Sequence, residues 1–173
     1  MEGPTDHFLC KMSDNVYKID FCRYKIRDMD SKIVLVDINH ADYEDEKTED
    51  PTEEIPDEER LIRYKFGPDF LEFDTIGTEL EFKVGPLPVK NMVMVERHYF
   101  RGKLLKNYDF DFKFCIPETT NTWEAIYELP KLTEEEMEEI RSAPWEVKAD
   151  SFFFVEGKLV IHTRSEYDYT PFD

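Results

Sequence analysis

Apolar residues recur at every second position along much of this chain, the period of a strand with one covered face. The clearest run is 91–117, NMVMVERHYFRGKLLKNYDFDFKFCIP. It predicts two strands and a short turn. Met92 and Met94 share a parity in the first strand; Tyr108, Phe110, Phe112, Phe114 and Ile116 share one in the second, with Asp109, Asp111 and Lys113 opposite. Glu96 and His98 fall on the parity of the two methionines, so a carboxylate and an imidazole share a face with two thioethers. Two explanations stand side by side. Arg97, Arg101 or solvent at the strand end satisfies Glu96, because Val93, Val95 and Tyr99 make the other parity equally apolar. Alternatively, an apolar pocket ends there in a polar rim, where the carboxylate accepts hydrogen bonds from a ligand's amide groups.

Residues 1–15 have no sustained period and read as a loosely docked arm; 16–173 read as one domain. Tyr17, Ile19 and Phe21 share one parity, Tyr24 and Ile26 the other, so a bulge or a doubly covered strand is expected near Cys22. The polar turn Asp28-Met29-Asp30-Ser31 returns the chain into Ile33–Ile38 as a hairpin partner. Ile62, Tyr64 and Phe66 form a half-buried strand that stops at Gly67-Pro68. Gly77 marks a turn, and Leu80, Phe82 and Val84 then share a face. Pattern alone does not fix the type of WEAIYEL, 123–129. Thr133-Glu134-Glu135-Glu136 is a capping box, with Pro144 beyond the end, and predicts one short surface helix. Phe152–Val155, a turn at Gly157, and Leu159–His162 return to strand. Strands at this spacing predict an all-β, two-sheet antiparallel sandwich.

The net charge of −18 repels nucleic acid phosphates and anionic lipid headgroups and leaves a basic partner open. Much of the excess sits in a loop at 42–59, DYEDEKTEDPTEEIPDEE, which reads as solvated and mobile. Cys10, Cys22 and Cys115 form no C-x-x-C pair, and with no signal peptide they point to a reducing, cytoplasmic setting. No apolar run nears the roughly 20 residues that span a bilayer, so stable membrane insertion is not expected. The chain begins Met1-Glu2-Gly3 and ends Pro171-Phe172-Asp173, matching neither an N-myristoylation nor a prenylation signal. G-x-S-x-G, H-E-x-x-H, glycine-rich phosphate loops and EF-hand loops are missing, and His7, His40, His98 and His162 are scattered. The chain therefore reads as a non-enzyme with neither cofactor nor metal.

Several segments carry a resemblance: VYKIDFCRYKIRDMDS at 16–31, RYKFGPDF at 63–70, VERHYFRGKLLKNYDFDFKFCIP at 95–117, NTWEAIYELPKL at 121–132 and DSFFFVEGKLVIH at 150–162. Together they closely resemble the uncoordinated-119 family of acyl-binding chaperones, sister to the prenyl-binding delta subunit of the retinal cyclic-GMP phosphodiesterase. The likeness runs from about Val16 to Tyr169 and lapses in the acidic loop. It implies an immunoglobulin-like sandwich whose sheets part to hold a lipid. It further implies a chaperone for N-myristoylated proteins, of the G-protein alpha-subunit or ciliary cargo type. Such a chaperone solubilises its cargo in the cytoplasm and delivers it to membranes, often of cilia and sensory cells. Release is by an Arf-like small GTPase in its GTP state.

Position by position, the resemblance assigns Phe21, Tyr24, Tyr64, Phe70, Ile76, Leu80, Phe82, Tyr108, Phe110, Leu129, Phe153 and Tyr167 to the pocket lining. It assigns Tyr64 and Glu96 to the lipidated glycine and its neighbouring backbone, with His98 beside them. For any single aromatic, plain packing in a sandwich core is an equal account. Three positions depart from familiar members: Leu129 and Tyr108 stand where those have Phe, and Phe153 where they have Tyr, which bears on acyl length preference. A long N-terminal extension of those members has no counterpart before Val16, leaving kinase-adaptor roles tied to it unsupported. Two other readings remain: a prenyl carrier of the delta-subunit type, and a filled β-sandwich module that binds a basic partner.

Overall fold

The computed structural model describes residues 3–39 and 50–172. Among them nine strands form two sheets: β1 (Asp20–Asp28), β2 (Val34–Asn39), β3 (Leu61–Lys65), β4 (Thr75–Lys83), β5 (Val89–Phe100), β6 (Lys103–Cys115), β7 (Thr120–Glu128), β8 (Val147–Val155) and β9 (Lys158–Asp168). Among the described residues there are also two helices, α1 (Asp57–Arg60) and α2 (Glu134–Arg141), and 3₁₀ turns at Met12–Asp14 and Pro68–Glu72. One sheet has the order β2-β1-β4-β7 and the other β3-β9-β8-β5-β6. The all-β sandwich is thus present, and WEAIYEL falls in β7 up to Glu128, with Leu129 just beyond it. The three cysteines are free.

Local chemistry sets the hairpins. β5 and β6 are joined by Arg101-Gly102, both at positive φ (49° and 83°), and β8 and β9 by Glu156-Gly157 at 51° and 79°. Two-residue turns of this hand match the right-handed twist of the strands they join. Between β1 and β2 the Asp28 carboxylate accepts from Ser31 N at 3.1 Å and Ser31 Oγ at 2.6 Å, closing the expected polar turn. The phase change near Cys22 is a bulge, where the register to β4 skips from Phe21↔Phe82 to Arg23↔Glu81.

Several sequence expectations are corrected. Gly77 is not a turn but lies inside β4, paired with Arg27 on one side and Ile126 on the other. A side chain there would crowd Met29 Sδ and Glu124 Oε1. Phe114 and Ile116 do not continue the inward face of β6; they are 56% and 58% exposed, and Cys115 is buried instead. Lys113 adopts a positive φ of 59° beside irregular pairing to β5, and the extra half-step reverses every later side chain. The sandwich is also not wholly antiparallel, since β3 joins β9 in parallel, from Leu61↔Arg164 to Lys65↔Asp168.

The arm expected to be loosely docked is seated on the outside of β8 and β9. Thr5 N and Oγ1 donate to the Asp150 carboxylate at 2.9 and 2.6 Å, and Leu9 N donates to His162 Nδ1 at 2.9 Å. Positions 42–49 of the acidic loop lie outside the described residues. Its remainder, 50–59, meets the arm, where Glu54 accepts from Ser13 N at 3.0 Å. The expected surface helix is α2, with its capping box closed by Glu136 N→Thr133 Oγ1 at 3.1 Å and Thr133 N→Glu136 Oε1 at 3.2 Å. It is not wholly solvated, because Ile140 is buried in the core.

That core has two halves. One gathers Ile19, Phe82, Val89, Met92, Val155 and Val160; the other gathers Ile26, Phe70, Ile76, Ile140, Val147 and Tyr167. Tyr24, Phe110 and Trp123 touch both.

Candidate functional site: two hollows that meet at Glu96

The sheets close differently along their two sides. Where β6 runs into β7, Phe112 and Trp123 pack with ring centroids 4.1 Å apart and Phe110 and Trp123 at 5.5 Å, filling the gap. At the other side lie the edge strands β2 and β3, and there a cavity of about 310 Å³ enters between Ile38 and Ile62. Phe21, Tyr24, Leu80, Met94, Tyr64 and Phe153 line it, with Arg23, Ser151, Thr163 and Ser165 supplying polar atoms. Deeper in, a second hollow of about 60 Å³ is enclosed by Tyr24, Phe66, Phe70, Ile76, Tyr108 and Leu129 among others. The larger cavity reaches the roughly 300 Å³ at which ligand pockets begin, and the smaller does not. Tyr24, Thr78, Glu96, Tyr127 and Tyr167 line both, so Glu96 stands at their junction. Beyond the inner hollow, Leu71, Leu105, Leu129, Pro130 and Leu132 also line a wide polar groove at the α2 end.

Glu96 is held by hydrogen-bond donors from two strands. Ser151, its register partner on β8, donates from Oγ to Oε1 at 2.6 Å, and His98, two residues along β5, donates from Nε2 to Oε2 at 3.0 Å. Tyr127, on the facing sheet, adds to the stabilisation of its charged form. Arg97 and Arg101 do not satisfy it: Arg97 bonds Asn107 and Arg101 bonds Glu146. Burial pushes the Glu96 carboxyl upward, but the hydrogen bond and charge of His98, then Ser151 and Tyr127, override it and hold the group below the usual carboxylate range. The surrounding phenols shift the other way. Burial, then the charge of Glu96, pushes Tyr64 up to about 12, and Tyr24, Tyr127 and Tyr167 go well above their ordinary value. An ionised acid encircled by neutral phenols can accept a hydrogen bond from an N–H donor.

Of the positions assigned from sequence, Phe21, Leu80, Tyr64 and Phe153 line the outer cavity. Phe70, Ile76, His98, Tyr108 and Leu129 line the inner one, and Tyr24, Glu96 and Tyr167 line both. Phe82 and Phe110 line neither. Phe82 is filled-in core against Phe21 and Phe112, and Phe110 packs on Tyr127 and Trp123. His98 is stacked on Tyr167, centroids 5.6 Å apart, with its edge toward Tyr108.

Comparison with known proteins decides the family. The family model of the GMP-PDE delta subunit matches residues 13–169. Protein unc-119 homolog B of Homo sapiens is 46% identical over 168 residues, covering 95% of this chain and 67% of its own length. Protein unc-119 homolog B-B of Xenopus laevis is 46% identical over 165 residues, covering 95% and 68%. Protein unc-119 of Caenorhabditis elegans is 43% identical over 169 residues, covering 98% and 76%. The chain belongs to the GMP-PDE delta-subunit family, in its uncoordinated-119 branch. Membership supports lipid carriage as the class of activity. Among the described residues no helix is long and apolar enough to cross a membrane.

Within this delta-subunit-family sandwich, sequence reasoning missed Tyr127, Thr78 and Ser151, which close the site around Glu96. Tyr127 was within reach: Ala125 and Tyr127 share a buried parity in β7. Ser151 had no such signal, because only the β5–β8 register places it opposite Glu96.

Proposed function

We propose that this protein is a carrier for N-myristoylated proteins, holding the acyl chain in the hollow space between the sheets with the first amide at Glu96. The observation that carries the reading is the placement of one ionised, largely desolvated carboxylate at the junction of two largely apolar hollows between the sheets. A myristoyl chain of about a dozen methylenes gains on the order of 10 kcal/mol on leaving water, for a bilayer and a protein pocket alike. A pocket of this kind therefore competes with a membrane, and discrimination falls to the polar groups at the amide. Cargo beginning Met-Gly-x-x-x-Ser/Thr fits, because small residues after the glycine leave room near Glu96.

Unloading needs a second signal. A GTP-bound Arf-like GTPase that favours a narrowed cavity, with about 4 kcal/mol of coupling, would weaken cargo binding about a thousandfold. Strand addition at a sheet edge is a suitable docking mode. Delivery to ciliary or sensory-cell membranes follows from the same reading.

Fluorescence titration with a myristoylated peptide and with free myristate tests the role of Glu96. Glu96→Ala is expected to weaken the peptide more than the fatty acid; equal losses count against it. Competition by a farnesylated peptide decides between acyl and prenyl cargo.

A further inference from the structure

One end of the sandwich shows apolar side chains that the carrier reading does not use. Gly85 N donates to Tyr17 O at 2.9 Å, Glu118 N to Gly85 O at 3.0 Å and Val84 N to Thr119 O at 3.0 Å, and Val89 lies opposite Cys115. These bonds knit the entry to β1, the β4–β5 loop and the β6–β7 loop into one tip. Val16 and Leu87 stand on it 53% and 46% exposed, with the outward-turned Phe114 and Ile116. The backbone is bent to present them. Lys18, Asn91, Lys113 and Glu118 all hold a positive φ, between 51° and 59°, a region that side chains other than glycine enter at a cost and that clusters at functional sites. At Lys113 that bend is what turns Phe114 away from the core.

Charge sets the tip apart from the rest of the surface. Across 14–20, 83–90, 113–120 and 155–158 the bases are Lys18, Lys83, Lys90, Lys113 and Lys158, and the acids are Asp14, Asp20, Glu118 and Glu156. Asp50 lies within electrostatic reach of Lys18 and brings the tip to balance. The whole chain carries −18, and at the α2 end 128–146 holds seven acids against Lys131 and Arg141. We propose that this tip is an interfacial docking surface for a zwitterionic, phosphatidylcholine-like bilayer, its apolar side chains entering the headgroup layer while the lysines reach up to the phosphates. A body of this net charge is repelled by anionic headgroups, whereas a balanced tip can meet neutral ones. Area argues against a second copy of the chain as the occupant. Four half-exposed side chains fall well short of the roughly 800 Å² that each partner of a stable dimer buries, while a lipid surface rewards each buried methylene separately.

The inference stands apart from the acyl-carrier reading, so its test uses the chain without cargo. Sucrose-loaded vesicles of dioleoyl-phosphatidylcholine are sedimented with wild type and three variants. Phe114→Asp/Ile116→Asp alters the tip, Leu104→Asp alters an exposed leucine at the opposite end of β6, and Leu80→Trp fills the outer cavity. Wild type is expected to partition to the vesicles, the double variant at least about tenfold more weakly, and the two single variants as wild type does. Phe114→Trp reads the same contact without removing apolar surface: its emission should be quenched by brominated phosphatidylcholine beyond the quenching of wild type, and this decides if another variant does not fold. Wild type left in the supernatant, or Phe114→Trp quenched no more than wild type, overturns the proposal. So does equal loss in Leu104→Asp, or loss in a folded Leu80→Trp, which would assign the lipid to the cavity. Self-association in sedimentation equilibrium that the double variant abolishes would give the tip to a second copy and overturn it as well.

Discussion

A carboxylate inside an aromatic sandwich survives as an anion only when donors replace the water it has lost. Glu96 and Asp150 are two examples among the described residues. Glu96 has Ser151 and His98; Asp150, on the outer face, has His162 Nε2 at 2.8 Å and both donors of Thr5. Burial pushes the Asp150 carboxyl up, but His162 and then Thr5 outweigh it and leave it below its ordinary value. Groups with a lowered folded pKa add stability that is complete above their unfolded value and is lost as pH falls through the folded one. The melting temperature is therefore expected to be level from pH 7 to about 5 and to fall below about pH 4. Asp150→Asn should melt lower at pH 7 and lose less on acidification, as scanning calorimetry across that range would read. At this scale the sequence was informative about parity and silent about partners. The face of Glu96 follows from counting along β5, whereas Ser151 and Tyr127 lie beside it on strands whose register no local pattern encodes.

Elements decide where the hollow opens. β3 is a short edge strand paired only to β9, pinned by Arg63 to Glu166 at 3.1 Å, and it forms the rim of the outer cavity through Ile62 and Tyr64. Just before it, Arg60 donates to the carbonyls of Cys10 and His162, so the N-terminal arm braces the strand's entry. Thr5→Val keeps the arm's bulk but removes its hydroxyl from Asp150, and should cost roughly 1–3 kcal/mol in urea unfolding. At the opposite end α2 plugs the inner hollow with Ile140. Ile140→Ala should cost about 2–5 kcal/mol while shifting preference toward longer acyl chains, measured by titrating a series of acylated peptides. The helix and the hairpins were legible because caps and two-residue turns are local chemistry. The parallel seat of β3 was not, since it depends on where a chain leaving one sheet re-enters the other. The reversal at Lys113 was hidden because a single positive φ leaves no mark on the alternation itself.

For the whole molecule, two sheets meet fully along the β6–β7 side and stay apart along the β2–β3 side, and that asymmetry turns a sandwich into a container. Alternation on both sheets made the sandwich readable from sequence. The container was not, because Phe82 and Phe21 look alike as letters although one fills the core and the other faces a cavity. The net charge of −18 offers the rival account, in which the surface rather than the interior does the binding. A titration of one basic peptide, with and without an N-terminal myristoyl group, separates the two most directly. It is run on wild type and on Leu80→Trp, which fills the outer cavity. The account predicts that only the acylated peptide binds, at one per protein and with little dependence on salt, and that Leu80→Trp abolishes binding in a protein that still melts cooperatively. Equal binding of both peptides, lost on raising salt and untouched by Leu80→Trp, would contradict it.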